Sequence, residues 1–387
     1  MTKIKFMFKI REVFGKPAFH LALLFVLLGF VFLQTKIVQM DDGFLYQKFA
    51  ETLVKEQRLD MSIPGFHGPS LFAALIYWLT GSNYSINYFE IIAALLTIIF
   101  IYLAAKEIFQ SQLAGILASY LYVLTPLHYF MAFRGFIWAS FLFFITLTLY
   151  LLYKKPQFSF LSLGLALITK PFAVCLLPFF IYKRKVKQFF LALIFPVLYL
   201  AIQLSQIQRV IIGAHQNLTA GELFGPSRLI PNLFYAFQNY FSIHNYSPLQ
   251  PLHFMDMIHL SPFISFLALL AIFYPRKYFH DLKLYYTLMA FAFFSLIIPA
   301  SFHHLDMYYL TTFNLALIFL ALLPLVEYEK LWPLIVASFA FQFFYTYLSY
   351  REAFWGSYII FVIPVTIFII SLIYLAMSFL RRQESRK

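Results

Sequence analysis

Residues 18–42 read AFHLALLFVLLGFVFLQTKIVQMDD, an apolar run followed within a few residues by two adjacent aspartates. The run 18–34 contains no Lys, Arg, Asp or Glu, and its length approaches the roughly 20 apolar residues that cross a bilayer as a helix. The preceding MTKIKFMFKIREVFGK is basic, and no small-residue cleavage site follows the run. We therefore expect a retained first span, a cytoplasmic N-terminus, and Asp41 and Asp42 at the outer membrane surface.

The composition of the whole chain excludes a soluble protein. Of its 387 residues 62% are hydrophobic and 12% charged, whereas a globular domain has about 45–50% apolar and about 25% charged residues. A single cysteine, Cys175, excludes a disulfide framework, a cysteine zinc cluster and an iron–sulfur centre. Because a bilayer surrounds such a chain, the net charge of +13 indicates membrane orientation and contact with anionic lipid, and we expect no nucleic-acid partner.

Polar segments containing Lys or Arg divide the chain into twelve apolar segments. These are residues 18–34, 84–105, 111–130, 135–153, 158–169, 171–182, 188–206, 260–274, 283–299, 308–326, 331–349 and 357–380. With this division most of the 29 Lys and Arg residues fall on the inner side, as the positive-inside rule describes. The pattern predicts an all-α polytopic integral membrane protein with about twelve transmembrane helices in a single domain over 1–387, both termini cytoplasmic, in the plasma membrane.

Segments 158–169 and 171–182 together have the length of one span, yet lysine and arginine clusters flank them on both sides. One span would place one of these clusters outside. Two short half-spans that meet at Lys170 and Pro171 keep both clusters inside, and proline supplies a reason for the break because it cannot continue helix hydrogen bonding. We favour the two-segment interpretation.

Two outer segments, 35–83 and 207–259, are too long to be simple connections, and long loops often carry function. The first contains LYQKFAETLVKEQRL, with apolar residues at helical spacing, and then HGPSLFAALIYWLTG, which is short for a span. The second contains RLIPNLFYAFQNYF. All three stretches predict amphipathic helices at the membrane interface, the first two being juxtamembrane helices of the first outer loop.

Asp41 and Asp42 are candidates for chemistry because adjacent carboxylates follow the first span directly. One interpretation is that they are solvated loop acids at the end of a helix. The other is that one of them is a general base, oriented by its neighbour toward a substrate hydroxyl. Position alone does not decide between the two.

The run DDGFLYQKFAETLVKEQRLD, followed by HGPSLFAALIYWLTG, resembles the first outer loop of the GT-C membrane glycosyltransferases, especially the protein O-mannosyltransferase and lipid A aminoarabinose transferase type. Three later stretches resemble further family segments in the same order. They are TPLHYFMAFRGFIWASFLFFITLTLYLLYKK, LSLGLALITKPFAVCLLPFFIYKRK and PASFHHLDMYYLTTFNLALIFLALLP. The likeness covers residues 41–185 and 299–324.

The resemblance implies inverting transfer of a sugar from a polyprenyl-phosphate carrier to an acceptor hydroxyl on the extracytoplasmic side, without a soluble nucleotide-binding domain. By the family pattern the first acid, Asp41, is the catalytic base, and Asp42 positions Asp41 or the acceptor. The sugar stays open, and so does the acceptor, which is a lipid, a glycan or a protein.

A leaving phosphate requires positive charge or hydrogen-bond donors as negative charge develops on it. Lys170 is the strongest candidate, because an ionisable residue within an apolar segment is taken as functional unless shown otherwise. The alternative is that Lys170 lies at the membrane interface and extends its ammonium into water. Arg134 lies at an outer turn where an interfacial anchor is an equal alternative. The remaining candidates for donor-phosphate binding are His67, His303 and His304, which stand where the family tends to have basic residues, and Arg228.

The family's acid in the outer turn near residue 134 has no counterpart there, so we expect its role to be absent or supplied by Glu222, Asp256 or Asp306. Four histidines in the 207–259 segment match no ligand template, so we predict no cofactor and leave a divalent metal as the minor alternative. The main alternative function is a secondary transporter or lipid flippase, which would favour charges at the membrane midplane within inverted repeats. A membrane scaffold without chemistry is the third.

Overall fold

The computed structural model describes most of the first half of the chain and several segments of the second. The described residues are 16–37, 39, 42–63, 67–125, 131–207, 226–241, 262–273, 281–301, 307–327, 332–334, 336–338, 340 and 362–384. Throughout this part of the chain the regular structure is helical, with no β-strand.

Fifteen α-helices that the structure describes can be numbered in chain order. They are α1 (Pro17–Gln34), α2 (Asp42–Lys55), α3 (Gly68–Thr80), α4 (Ser85–Phe109), α5 (Gln112–Val123), α6 (Trp138–Lys154), α7 (Ser159–Leu167), α8 (Leu177–Tyr182), α9 (Val186–Ala192), α10 (Ile194–Ile207), α11 (Pro226–Phe241), α12 (Pro262–Phe273), α13 (Leu282–Ala300), α14 (Thr311–Glu327) and α15 (Val362–Glu384). Short 3₁₀ turns lie at Met131–Arg134, Pro156–Phe158, Pro171–Leu176 and Met307–Leu310.

Helix occurs in each of the twelve apolar segments that the sequence predicts. Within the described residues, four helical stretches are long and apolar enough to cross a membrane on their own: α1, α4, α13 and the nearly continuous Val186–Ile207. The three stretches predicted to lie at the interface are also helical, as α2, α3 and α11. The protein is therefore an all-helical integral membrane protein, as predicted.

The hydrophobic core lies between α4, α5 and α6 and continues to the other helices. Its largest cluster extends from Leu24 to Ile367 and includes buried residues of α1, α4–α9 and α11–α15. Small residues permit close helix packing. A Cβ on Gly115 of α5 would lie 2.7 Å from the backbone oxygen of Tyr102 on α4, so only glycine fits at this crossing.

The helix breaks where the sequence predicts two half-spans. α7 ends at Leu167, Lys170 has an extended backbone (φ −150°, ψ 132°), and a 3₁₀ turn begins at Pro171 before α8. An extended conformation is the one that a following proline imposes. The Lys170 amide still donates to Ala166 O at 2.8 Å, so the chain leaves α7 without losing this hydrogen bond.

The two ends of the bundle differ in chemistry. α6 has 17 residues, about 25 Å of helix, and runs from Trp138 at one end to Lys154 at the other. At the Lys154 end the ammonium pairs with Glu107 at 2.9 Å, and Lys183 lies over the ring of Tyr153 at 4.2 Å. The Trp138 end holds Lys170, whose Nζ lies over the Trp138 ring.

Candidate active site

The first helix of the outer loop, α2, is packed against the rest of the protein through its apolar face. Tyr46 and Ala50 of α2 form a cluster with Ala73 of α3, Ile86 of α4 and Ile137. This burial holds the start of α2, and with it the partly exposed Asp42, beside the N-terminal ends of α4 and α6.

Backbone packing fixes the position of Asp42 further. Gly43 lies so close to the carbonyl oxygen of Arg134 that a Cβ at this position would overlap it, and Gly135 approaches Gly43 from the same turn. Gly135 has φ +75°, a conformation that L side chains rarely adopt. The DDG sequence therefore provides a carboxylate followed by the one residue that allows α2 to contact the 131–135 turn.

The buried side-chain amides of Gln47 and Asn87 hydrogen-bond across α2, α4 and this turn. Gln47 Oε1 accepts hydrogen bonds from Ser85 Oγ at 3.0 Å and from Ile86 N at 3.1 Å. Asn87 Nδ2 donates to the carbonyl oxygens of Ala132 at 3.2 Å and Phe133 at 3.0 Å. Neither amide is recognisable as important in the sequence, because each bonds to partners far away along the chain.

Lys170 lies at the same end of the bundle, and its Nζ is 4.8 Å from the centre of the Trp138 ring, a cation–π contact. Asp42 and Glu90 both act electrostatically on the Lys170 ammonium. Among the described residues, however, no carboxylate oxygen lies within 4.0 Å of Nζ. The Trp138 ring thus holds the ammonium in place, and none of the carboxylates that the structure describes occupies its three N–H donors.

Glu90 is a member of this group that sequence analysis missed. It lies on α4 and is completely buried (0% exposed), and its Oε2 accepts a hydrogen bond from Ser140 N at 3.0 Å in the first turn of α6. It therefore places a carboxyl group at the start of α6, about one helical turn along α4 from Asn87, which contacts the 131–134 turn. The available signal was an acid inside an apolar segment, which marks function by the same rule that singled out Lys170.

His67 is buried, which argues against a charged phosphate ligand. Its ring stacks on Phe49 with centroids 4.0 Å apart, and its Nε2 donates to Ile63 O at 2.9 Å. Burial lowers the pKa of His67 to about 4, so the imidazole is neutral at physiological pH. The next residue, Gly68, donates its N–H to Ile168 O at 3.1 Å, which ties this part of the outer loop to the segment that precedes Lys170.

We expect His67 to make docking of the outer loop sensitive to acid. Its pKa is lower in the folded protein than the usual 6.5, so the unfolded chain binds the extra proton and stability falls as the pH falls from about 6.5 toward about 4. At pH 4.5 this one group costs about 2–3 kcal/mol relative to pH 7. His67→Gln retains an N–H donor for Ile63 O but cannot be protonated. The loss of Tm in detergent between pH 7 and pH 4.5 should be smaller for the variant, and an equal loss in both proteins would contradict this role.

Two further predicted site residues, Arg134 and Arg228, lie in the part of the chain that the structure describes. Arg134 is buried (5% exposed) in the turn that contacts α2. Arg228 is exposed on α11, which packs mainly against α12 and α13, with Asn232 Nδ2 donating to Ala300 O at 2.8 Å. The candidates that lie outside the described residues are Asp41, His303, His304, Glu222, Asp256, Asp306 and the four histidines of the 207–259 segment. Among the residues that the structure does describe, no three His, Cys, Asp or Glu side chains are grouped closely enough to hold a metal ion.

Comparison with solved structures identifies the fold. No protein-family model matches the chain, and the search of curated proteins finds no significant match. The structure is similar to the crystal structure of ArnT from Cupriavidus metallidurans bound to undecaprenyl phosphate, with a TM-score of 0.56 and 13% sequence identity over 92% of this chain and 76% of the ArnT chain. The chain has an ArnT-like fold. At the level of fold this confirms the resemblance to GT-C enzymes of the lipid A aminoarabinose transferase type.

Proposed function

We propose that the protein is an inverting glycosyltransferase that moves a sugar from a polyprenyl-phosphate-linked donor to an acceptor hydroxyl on the extracytoplasmic side of the plasma membrane. The ArnT-like fold over 92% of the chain supports this class, because that relative was crystallised with undecaprenyl phosphate bound. Fold alone does not define an activity. The observation that carries the proposal is the Lys170 ammonium, which lies over the Trp138 ring at the same end of the bundle as Asp42 and is not ion-paired with any carboxylate that the structure describes.

This arrangement suits the charge changes of the reaction. An aspartate of the Asp41–Asp42 pair accepts the proton of the acceptor hydroxyl as its oxygen bonds to the anomeric carbon. The bond between that carbon and the phosphate oxygen breaks, and the polyprenyl phosphate leaves with an additional negative charge. Lys170 stabilises that charge with charge-assisted hydrogen bonds, which are strong in a water-poor site. We assign the base to Asp41 and a positioning role to Asp42.

The charge distribution supports the proposed sidedness. Lys154 and Lys183 lie at the end of the bundle opposite Trp138 and Lys170, together with further lysines of the 154–155 and 183–187 segments. Such an excess is typical of the cytoplasmic side. The Asp42 and Lys170 end then faces outward, where polyprenyl-linked donors and envelope or secreted acceptors meet.

Binding of the carrier lipid tests this function without knowledge of the sugar. The purified protein in detergent is titrated with undecaprenyl phosphate and, in parallel, with undecaprenol, which has the same isoprenoid chain without the phosphate. We expect a Kd at least about tenfold lower for the phosphate form, because a charged ligand at Lys170 adds hydrogen bonds of the stronger kind. Equal affinity for the two lipids would contradict a phosphate site.

An assay in proteoliposomes distinguishes sugar transfer from transport of the lipid across the bilayer. Transfer of labelled sugar from a panel of polyprenyl-phosphate sugars to envelope lipids, glycans or proteins supports the enzyme. Movement of the labelled lipid across the bilayer without any transfer would instead support the flippase or transporter alternative.

A further inference from the structure

A group of basic side chains lies at the end of the bundle opposite Lys170. This basic cluster consists of Lys154, Lys155, Lys183, Arg184, Lys185 and Lys187. The first two residues lie where α6 ends, and the other four lie where α8 passes into α9. A cation–π contact brings the two segments together, because the Lys183 Nζ lies 4.2 Å from the centre of the Tyr153 ring on α6.

The described carboxylates leave most of this positive charge unpaired. Lys154 pairs with Glu107 at 2.9 Å, but none of the other members of the cluster has a described carboxylate oxygen within 4.0 Å. Asp281 is attached to the same region through Tyr182, whose hydroxyl donates to its Oδ2 at 2.9 Å. The Oδ1 atom of Asp281 already accepts two N–H groups in the first turn of α13. The cluster is therefore suited to an external anion.

Capping of α8 does not account for the basic side chains. Cations are common at helix C-termini because they can bond to the last carbonyl oxygens. Here backbone N–H groups take that role: Lys183 N donates to Phe179 O at 2.9 Å, Arg184 N to Ile181 O at 3.0 Å and Lys185 N to Phe180 O at 2.8 Å. The side chains of the cluster remain exposed or half-buried at the surface.

Arg184 occupies a position that favours glycine. Its φ is +54°, in the left-handed region, and helices that end in this way usually have glycine there. The exposed arginine side chain makes no ion pair with a described carboxylate that would offset the unfavourable backbone. An unfavourable backbone conformation without such compensation points to a function of the side chain. A guanidinium binds phosphate oxygens with two parallel hydrogen bonds.

Exposed apolar side chains border the cluster on both helices. Ile181 of α8 is 57% exposed and Phe190 of α9 is 61% exposed. Phe190 follows Lys187 by three residues, so the two side chains share one side of α9. A soluble anion would use the charges alone. A phospholipid with an anionic headgroup would use the charges and, through its acyl chains, the neighbouring apolar side chains as well.

We propose that the basic cluster is a binding site for an anionic phospholipid, whose phosphate group contacts Arg184 and Lys187 and whose acyl chains lie along Ile181 and Phe190. Clusters of Lys and Arg beside membrane helices recognise anionic lipid headgroups in this way. The site lies at the other end of α6 from Lys170, about 25 Å away along the helix, and does not depend on the proposed sugar transfer.

The purified protein in detergent is titrated with phosphatidylglycerol and with phosphatidylcholine carrying the same acyl chains. We expect phosphatidylglycerol to bind at least about tenfold more tightly and to raise the Tm in proportion to its occupancy. Soluble glycerol phosphate, which has the charge without the acyl chains, should bind more weakly than phosphatidylglycerol. Equal affinity for the two phospholipids would overturn the proposal, and glycerol phosphate binding as tightly as phosphatidylglycerol would show a site for a soluble anion instead.

The double variant Arg184→Gly and Lys187→Gln tests the residues directly. Glycine adopts the left-handed conformation without strain, so the Tm in the absence of lipid should not fall. One Lys or Arg near an anionic lipid contributes about fivefold in affinity, so the Kd for phosphatidylglycerol should rise about 25-fold. Arg184→Lys alone retains the charge and should stay within about threefold of wild type.

The double variant Lys48→Gln and Lys55→Gln is the matched control. It removes two exposed lysines from α2, and it should leave the affinity for phosphatidylglycerol unchanged. If both double variants weakened binding equally, net charge and not the basic cluster would be responsible. If the Arg184 and Lys187 variant bound phosphatidylglycerol as tightly as wild type, the cluster would not be the site. Its affinity for undecaprenyl phosphate should stay unchanged, and an equal loss for both lipids would contradict a site separate from that of the carrier.

Discussion

Replacing Lys170 with methionine is expected to reduce sugar transfer by about 10²–10³-fold, the usual cost of removing one preorganised donor from a site of charge development. Methionine has a similar length and packs well against an aromatic ring, so it fills the space over Trp138. The variant should retain the wild-type Tm or exceed it, because Lys170 is half-buried and partial loss of hydration is unfavourable for an ammonium. Affinity for undecaprenyl phosphate should fall about tenfold or more, and affinity for undecaprenol should stay constant.

Lys154→Met provides the matched control. Lys154 is exposed at the other end of the bundle, where it pairs with Glu107, and its replacement removes the same charge from the protein. Surface ion pairs contribute about 0–1 kcal/mol, so transfer should remain within about twofold of wild type. If the two methionine variants lost activity equally, or if Lys170→Met remained near wild type, Lys170 would not be the phosphate ligand.

Much of the fold could be predicted from sequence because hydrophobicity and proline act locally. Each apolar segment contains helix. The break between α7 and α8 occurs at Lys170 and Pro171, because proline lacks an N–H donor and disfavours a helical conformation in the residue before it. The charge clusters that flank 158–182 favoured two half-spans over a single span, and charge is also a local property of the sequence. Helix ends shifted by a few residues, as between the predicted start at 135 and the observed start of α6 at Trp138.

The site could be predicted only in part, because its geometry depends on contacts between distant residues. Gln47 and Asn87 hold the start of α2 and the 131–135 turn against α4, and Glu90 accepts from Ser140 N at the start of α6; their partners lie up to 50 residues away in the sequence. A hydrophobicity pattern contains no information on such pairs. Glu90 alone gave a readable signal, as a carboxylate in an apolar run.

His67 shows a second kind of limit. Its residue type and position suggested a titratable phosphate ligand, since a solvated histidine has a pKa near 6.5. Burial at 1% exposure lowers the pKa to about 4, and stacking on Phe49 gives the ring a packing role. Burial is a tertiary property, so the charge of a histidine cannot be read from its place in the sequence.

Replacing Asp41 and Asp42 one at a time with asparagine should show which of them is the general base. Asp41→Asn is expected to lower transfer by about 10²–10⁴-fold, the usual contribution of a general base, with undecaprenyl phosphate binding unchanged because the base contacts the acceptor hydroxyl. Asp42 begins α2, is partly exposed and acts on Lys170. Asp42→Asn should therefore cost only about tenfold in transfer, through a weaker helix start and reduced charge compensation.

The aspartate whose replacement lowers sugar transfer more, with lipid binding intact, is assigned as the base. Glu56→Gln is a suitable control, because Glu56 is an exposed acid just after α2 that pairs with Arg58 at 2.8 Å, far along the helix from Asp42. It should leave transfer unchanged. If Asp42→Asn were the more damaging variant and also left lipid binding intact, the base would be Asp42, which the packing of Gly43 against the Arg134 carbonyl already holds at a fixed place beside α4 and α6. If neither variant reduced transfer, the pair would be solvated loop acids, and the base would have to come from elsewhere on the outer side.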